Sequence, residues 1–259
     1  MNTIFALTGV VIKELYRRKD FYVLFFLTAL ITVGLGFVNF FNDDKIVRYL
    51  KEVCLLLIWI SSLVIAIATA ARQIPAEREN RTIFPLLAKP VTRAQVIVGK
   101  FLGCWLACGL VLLVFYVFFG VIAGSREHHW PLLNYFQVLW LHWTMLAVVI
   151  AFVLFGSVVF AAPSSNTTIS FVIVLGILFI GKYLGEVSTR QPEPVRTIVY
   201  TLYFLIPHLE WYDVRERLAF DQKLIPWGYV LLASVYAWFY SAFLLWATGL
   251  VFRRKPLNA

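Results

Sequence analysis

Apolar runs of about 20 residues, the length at which a helix crosses a bilayer's hydrocarbon core, recur along the chain between short polar stretches. Six runs are read as spans: residues 21–41, 53–71, 101–124, 135–162, 167–184 and 227–252. None shows the polar and apolar alternation over about ten positions that a transmembrane barrel strand needs. The expected fold is therefore all-α, a polytopic membrane protein with six transmembrane helices and both ends on one side. Residues 197–207 are also apolar but too short to cross, and they end in Pro207-His208-Leu209-Glu210, so they are read as re-entrant or interfacial.

Before the first span, Ile4, Leu7, Val11 and Leu15, with Phe5, Ile12 and Tyr16 beside them, recur at helical spacing against Lys13, Glu14, Arg17, Arg18 and Lys19. That pattern predicts an amphipathic elbow helix over 1–20 lying on the membrane surface, with a frayed basic tail as the alternative. It lacks the form of a cleaved signal, because charge directly precedes the span and no small-residue cleavage site follows.

Composition agrees with the pattern: 61% of the residues are hydrophobic. The formal charge is +9, and its placement gives an orientation. Lys13, Arg17, Arg18, Lys19, Arg72, Arg78, Arg81, Lys89, Arg93, Lys100, Arg253, Arg254 and Lys255 lie on one side with only Glu14, Asp20, Glu77 and Glu79, so that side carries the whole excess. By the positive-inside tendency it is cytoplasmic. Anionic lipid headgroups account for such basicity, and no nucleic acid is required.

The apolar runs hold no Asp, Glu, Lys or Arg once their ends are trimmed, and His142 is the one readily titratable group expected at depth. Ion-coupled carriers keep ionisable residues in the bundle, so that class is disfavoured. His142, between Trp140 and Trp143 in the turn, is read as a packed or interfacial histidine. Cys54, Cys104 and Cys108 fall in apolar runs and are read as small packing residues, although Cys104 and Cys108, one turn apart, could share a soft metal. His128 and His129 beside Glu127 are read as a polar loop rather than a metal site. No GxSxG, HExxH or phosphate-binding P-loop pattern occurs, so the chain has no ATP-binding motif of its own and no enzyme activity is expected. Gly99/Gly103, Gly120/Gly124 and Gly181/Gly185 have the spacing that lets helices approach closely, within or between protomers.

The dense polar block at 72–100 is the most informative stretch. Pro75 is placed to start a helix, Glu77 and Glu79 sit where they complement its positive end, and Ile83, Phe84, Leu86 and Leu87 supply apolar anchors limited by Pro85 and Pro90. A short helix of mixed charge with exposed apolar residues fits a groove on a partner protein, against the alternative of a solvated loop touching only headgroups.

In this block Glu77 or Glu79, Thr82, Leu86, Leu87, Pro90, Thr92, Arg93, Gly99 and Lys100 match the pattern of type 2 ATP-binding-cassette (ABC) permeases, and the chain resembles their NosY-like group. The family's glycine before the threonine is Arg81 here. The likeness extends to the basic elbow around Lys13-Glu14-Leu15-Tyr16-Arg17-Arg18, the six spans and the apolar excursion before the last of them. It implies one permease domain over 1–259, with the elbow at 1–20, a cytoplasmic coupling loop at 72–100 and an extracytoplasmic segment at 185–226. Two such permeases, a second copy or a related chain, would work with two copies of a separate ABC ATPase subunit that holds the ATP and Mg. In this reading Glu77, Arg78, Glu79, Arg81, Thr82, Leu86, Leu87, Pro90, Arg93 and Lys100 are the ATPase-coupling residues, and no cofactor is bound by the chain itself. The expected setting is a prokaryotic inner membrane with both termini cytoplasmic, and the expected direction is export. A secondary transporter or channel and a membrane scaffold for assembling another enzyme are the competing classes. The segment at 185–226 is read as an outer gate or a stabilising cap.

Overall fold

The computed structural model describes residues 2–17, 19–37, 44–79, 92–127, 130–190 and 192–254. Among them the regular elements are all helical: α1 (Asn2–Arg17), α2 (Lys19–Phe37), α3 (Asp44–Arg72), α4 (Pro75–Glu79), α5 (Arg93–Glu127), α6 (Leu132–Val159), α7 (Pro163–Arg190), α8 (Val195–Leu205), a 3-10 turn (Leu209–Tyr212), α9 (Arg215–Ala219) and α10 (Trp227–Arg254). Five of the helices, α3, α5, α6, α7 and α10, are long and apolar enough to cross a membrane. The first expected span corresponds to α2, 19 residues of apolar helix with its apolar stretch at Phe25–Gly34, and residues 38–41 of that reading lie outside the described residues. The chain is a polytopic all-α membrane protein.

The helices start where local chemistry says they should. Pro75 and Pro163 occupy first helical positions, where the missing N–H costs nothing. Thr92 and Gln95 form a capping box at the head of α5: Thr92 N donates to Gln95 Oε1 at 2.9 Å and Gln95 N to Thr92 Oγ1 at 3.2 Å.

Helix α6 is the axis of the bundle, buried almost without break from Leu141 to Val158, with α3, α5, α7 and α10 packed around it. Among the described residues α2 packs on α3 and α5, and it leaves Phe26 and Leu30 exposed, as α7 leaves Phe179 and α10 leaves Phe239 and Trp246. These faces suit lipid. Between helices in lipid the driving force is close packing rather than escape from water, and small residues decide where it can happen.

Helices α5 and α6 cross closely. Trp105 Nε1 donates to Trp143 O and Trp143 Nε1 to Trp105 O, each at 3.0 Å, with the two rings stacked 4.2 Å apart at 11°. Gly109 makes this possible, because a Cβ there would overlap the Trp143 indole. The other spaced glycines are likewise used inside the chain: Gly99 and Gly103 receive Leu7 and Val11 of α1, Gly120 and Gly124 face Tyr135 and Trp130, and Gly181 faces Glu210.

The bundle has two unlike ends. At the loop end α3 and α10 finish and α5 begins. At the other, the cap end, residues 206–226 fold over the helices. Gln137, 1% exposed, clamps the return of this cap: its Nε2 donates to Ile225 O at 3.0 Å and its Oε1 accepts from Ile225 N at 2.9 Å. Tyr212, whose phenol burial pushes up from its ordinary pKa, donates to Ala233 O at 2.7 Å. The buried Lys51 meets Asp221 at 3.1 Å, and His208, stacked on Trp211, meets Glu210 at 3.3 Å.

The segment 206–226, part of the stretch read from sequence as an outer gate or a stabilising cap, packs on the helices themselves: α9 lies against α3 and α6. Arg215 sits over the Trp59 ring at 4.7 Å and is held by Asp213 at 2.6 Å. His142 is therefore not the sole ionisable group at depth: the spans lack charges, but a neighbouring segment supplies them. His142 itself is packed, 2% exposed, with Nε2 2.8 Å from Ser62 Oγ and Nδ1 3.3 Å from Tyr116 OH. Cys104 and Cys108 are buried in the main core, and Cys54 joins them there.

Candidate coupling site

The polar residues of the loop end fall into four links, each tying a chain segment to one distant in sequence. The first is an ion pair. Lys100, two turns into α5 and with its side chain 5% exposed, donates from Nζ to Glu77 Oε1 of α4 at 2.6 Å and to Gln73 Oε1 at 3.3 Å. A buried lysine is tolerated when its charge is met this closely. The pair fixes α4 to α5.

The second link closes the last helix. Arg93 Nη1 donates to Phe252 O at 2.6 Å and Arg253 O at 3.1 Å, and its guanidinium lies 5.4 Å from the Phe252 ring centre. These carbonyls belong to the last turn of α10, where a cation complements both orphan acceptors and the negative end of the dipole. Ile74, Ile97, Val158 and Phe252 fill the space between as a separate apolar cluster, so the turn after α3 touches α5, α6 and α10 together.

The third link is the elbow. Thr8 Oγ1 donates to Gly99 O at 3.3 Å, and the side chains of Leu7 and Val11 sit where Cβ atoms of Gly99 and Gly103 would be, at 2.9 Å and 2.7 Å from their own Cβ atoms. Helix α1 thus rides on the same two turns of α5 that hold Lys100. The fourth link is Asn166, fully buried, whose Nδ2 donates to Ala71 O at 3.1 Å and Val153 O at 3.3 Å while its Oδ1 accepts from Ser170 Oγ at 3.1 Å. It joins the ends of α3 and α6 to the start of α7.

Of the residues expected from sequence, Glu77, Arg93 and Lys100 are brought to this end with their side chains turned inward on partners. Glu79 is exposed at the end of α4. Arg78 is half-buried, with Nε and Nη2 shielded and making no hydrogen bond. Arg81, Thr82, Leu86, Leu87 and Pro90 lie outside the described residues, as do His128 and His129. Thr8, Gln73 and Asn166 escaped the sequence reading. A polar residue at helical register with an apolar stripe was the available signal for Thr8, and the Thr92-x-x-Gln95 spacing for the cap of α5.

The arrangement is a short helix, α4, joined through Lys100 to a long spanning helix and through that to the elbow. A family model described as ABC-2 family transporter protein matches residues 33–255. The chain belongs to that family. No curated protein matches it. As an ABC-2 permease it is a transmembrane subunit of an ABC transporter, a multi-pass membrane component whose family implies an ABC ATPase as partner. The match begins within α2, so α1 of this permease stands outside it.

Proposed function

We propose that this permease belongs to the NosY-like group and exports its cargo from the cytoplasm of a prokaryote, working in pairs, two permeases with two ATPase subunits. Both termini and the 72–100 loop face the cytoplasm, which the basic excess on that side supports. ATP and Mg are held by the ATPase, and the permease binds neither. Residues 1–259 act as one permease domain.

The observation that carries this reading is the Lys100–Glu77 joint. A coupling helix has to be exposed on one face to meet the ATPase and fixed on the other to pass on its motion. In α4, Glu79 is outward and Glu77 is pinned to α5. Arg78, Glu79 and Arg81 meet the ATPase, with Thr82, Leu86, Leu87 and Pro90 shaping the rest of the loop, and Arg93 and Lys100 anchor its return. Closure of the two ATPase subunits on ATP then pushes α4, and the push reaches α5 through Lys100, α1 through Gly99 and Gly103, and α10 through Arg93.

Replacing residues 77–81 together by alanine tests this in membranes containing the copurified ATPase. The expected outcome is loss of the ATP hydrolysis that depends on the permease, with membrane insertion and yield unchanged. Hydrolysis that is stimulated as fully by the variant as by the natural chain contradicts the assignment.

A further inference from the structure

Arg215 is the one group of the cap that puts a guanidinium against a spanning helix below the apolar boundary. Its partner ring, Trp59, lies six residues past Val53, where the apolar run begins, about 9 Å along the helix at a rise of 1.5 Å per residue. An ionisable group against an apolar spanning helix is kept for a reason, and its partners show what that reason is.

The cluster around it can be accounted for atom by atom. Ser62 Oγ lies 2.9 Å from Trp59 O and spends its only hydrogen there. It therefore accepts from His142 Nε2–H at 2.8 Å, which leaves His142 Nδ1 as the acceptor for Tyr116 O–H at 3.3 Å. That chain, Tyr116 to His142 to Ser62 to the Trp59 carbonyl, is closed. Two donors remain outside it. Trp59 Nε1 is buried and makes no hydrogen bond. Arg215 gives Nε and Nη2 to Asp213 Oδ1 and Oδ2 at 2.6 Å and 2.8 Å, and its Nη1 hydrogens make no bond among the described residues. Within this cluster the unspent capacity is donors only, beside a cation.

We propose that Arg215 and Trp59, at the cap end between α3 and α9, form a binding site for an anionic group, a carboxylate or phosphate, carried by the cargo of this permease. Asp213 is the resident counter-ion. It is the more exposed of the pair, 35% against 18% for Arg215, so an incoming anion exchanges with it without moving the guanidinium from the Trp59 face. The fork of Arg215 accepts the new oxygens in the bidentate manner it now offers Asp213. The Trp59 ring face holds the guanidinium in place, and its buried N–H is a further donor in the same cluster. This inference rests on the transport reading for the identity of the cargo, but the site's chemistry stands on the unspent donors.

Calorimetric titration of the full chain in neutral-lipid nanodiscs tests it, with empty discs as the blank. Decyl phosphate, inorganic phosphate and decyltrimethylammonium serve as probes. Arg215→Gln is expected to weaken decyl phosphate by about tenfold, the scale of losing one charge-assisted pair of bonds. Arg215→Lys retains part of that affinity. Asp213→Asn is expected to tighten it several-fold by removing the competing carboxylate, whereas a merely structural ion pair would make both variants weaken binding alike. Tighter binding of decyl phosphate than of inorganic phosphate marks an amphiphile as the source, equal binding a small free anion, and either supports the anion site. Weakening by Asp213→Asn, or binding of the ammonium probe as tightly as the phosphate, overturns the proposal. The assay needs no ATPase, so anion binding that persists where the 77–81 variant fails to uncouple hydrolysis would sink the transport reading alone.

Discussion

Lys100→Ala is expected to abolish permease-dependent ATP hydrolysis while leaving the chain inserted. The change removes the ammonium group that meets the Glu77 carboxylate, and breaking a buried pair typically costs about 3–5 kcal/mol. Glu77 keeps 26% exposure, so the cost falls near the lower end of that range, about 3 kcal/mol. A small domain survives such a loss, but α4 loses the ion pair by which it meets α5. The measurement is hydrolysis by the copurified ATPase across three chains: natural, Lys100→Ala, and the double variant Lys100→Glu with Glu77→Lys. The swapped pair should recover a substantial part of the activity. Equal loss in the single and double variants would show that position 100 matters for bulk, not for the joint.

Gly109→Ala is expected to be strongly destabilising. Its Cβ would stand 2.8 Å from Trp143 Cζ2 and closer still to the ring nitrogen side. Flexible side chains can retreat from such an overlap, but Trp143 is locked by its bond to the Trp105 carbonyl, by the stacked Trp105 ring and by Trp140 edge-on at 5.8 Å. Overpacking of a tight core costs about 1–3 kcal/mol, and losing both reciprocal indole bonds adds roughly 1 kcal/mol each. Thermal unfolding in detergent should show a large drop in midpoint, with Gly249→Ala, which meets open space, as the unaffected control. A Gly109→Ala chain as stable as that control would contradict the packing of α5 on α6.

The sequence made the helices visible because each span is a run long enough to satisfy its own backbone in lipid, a local property. Helix α1 was visible through its periodicity, since Val11 and Leu15 recur on one face, and the structure buries both. At the candidate coupling site Pro75, Glu77, Arg93 and Lys100 stood out as charges and a proline between apolar runs. What stayed hidden is pairing across distance. Nothing local says that Asn166 bonds Ala71, 95 positions away, or that Gln137 clamps Ile225, 88 positions away. Arg215 is the clearest case. Read locally it belongs to a polar surface segment, and only the fold of α9 against α3 and α6 reveals that it enters the bundle. The trimmed spans carry no such charge, as their sequence says; the charge that reaches α3 comes instead from a short cap helix that delivers Arg215 already paired with Asp213.

The central claim is that α4 is the surface on which a separate ATPase acts. The most direct measurement places a single cysteine at Glu79, with Cys54, Cys104 and Cys108 replaced by serine, and treats inverted membrane vesicles with a short bis-maleimide. The account predicts a cross-linked product containing this chain and a Walker-motif ATPase, formed from the cytoplasmic face and diminished when ATP is depleted or replaced. A cysteine at position 79 that reacts only from the opposite face, or that captures no ATPase, would contradict it.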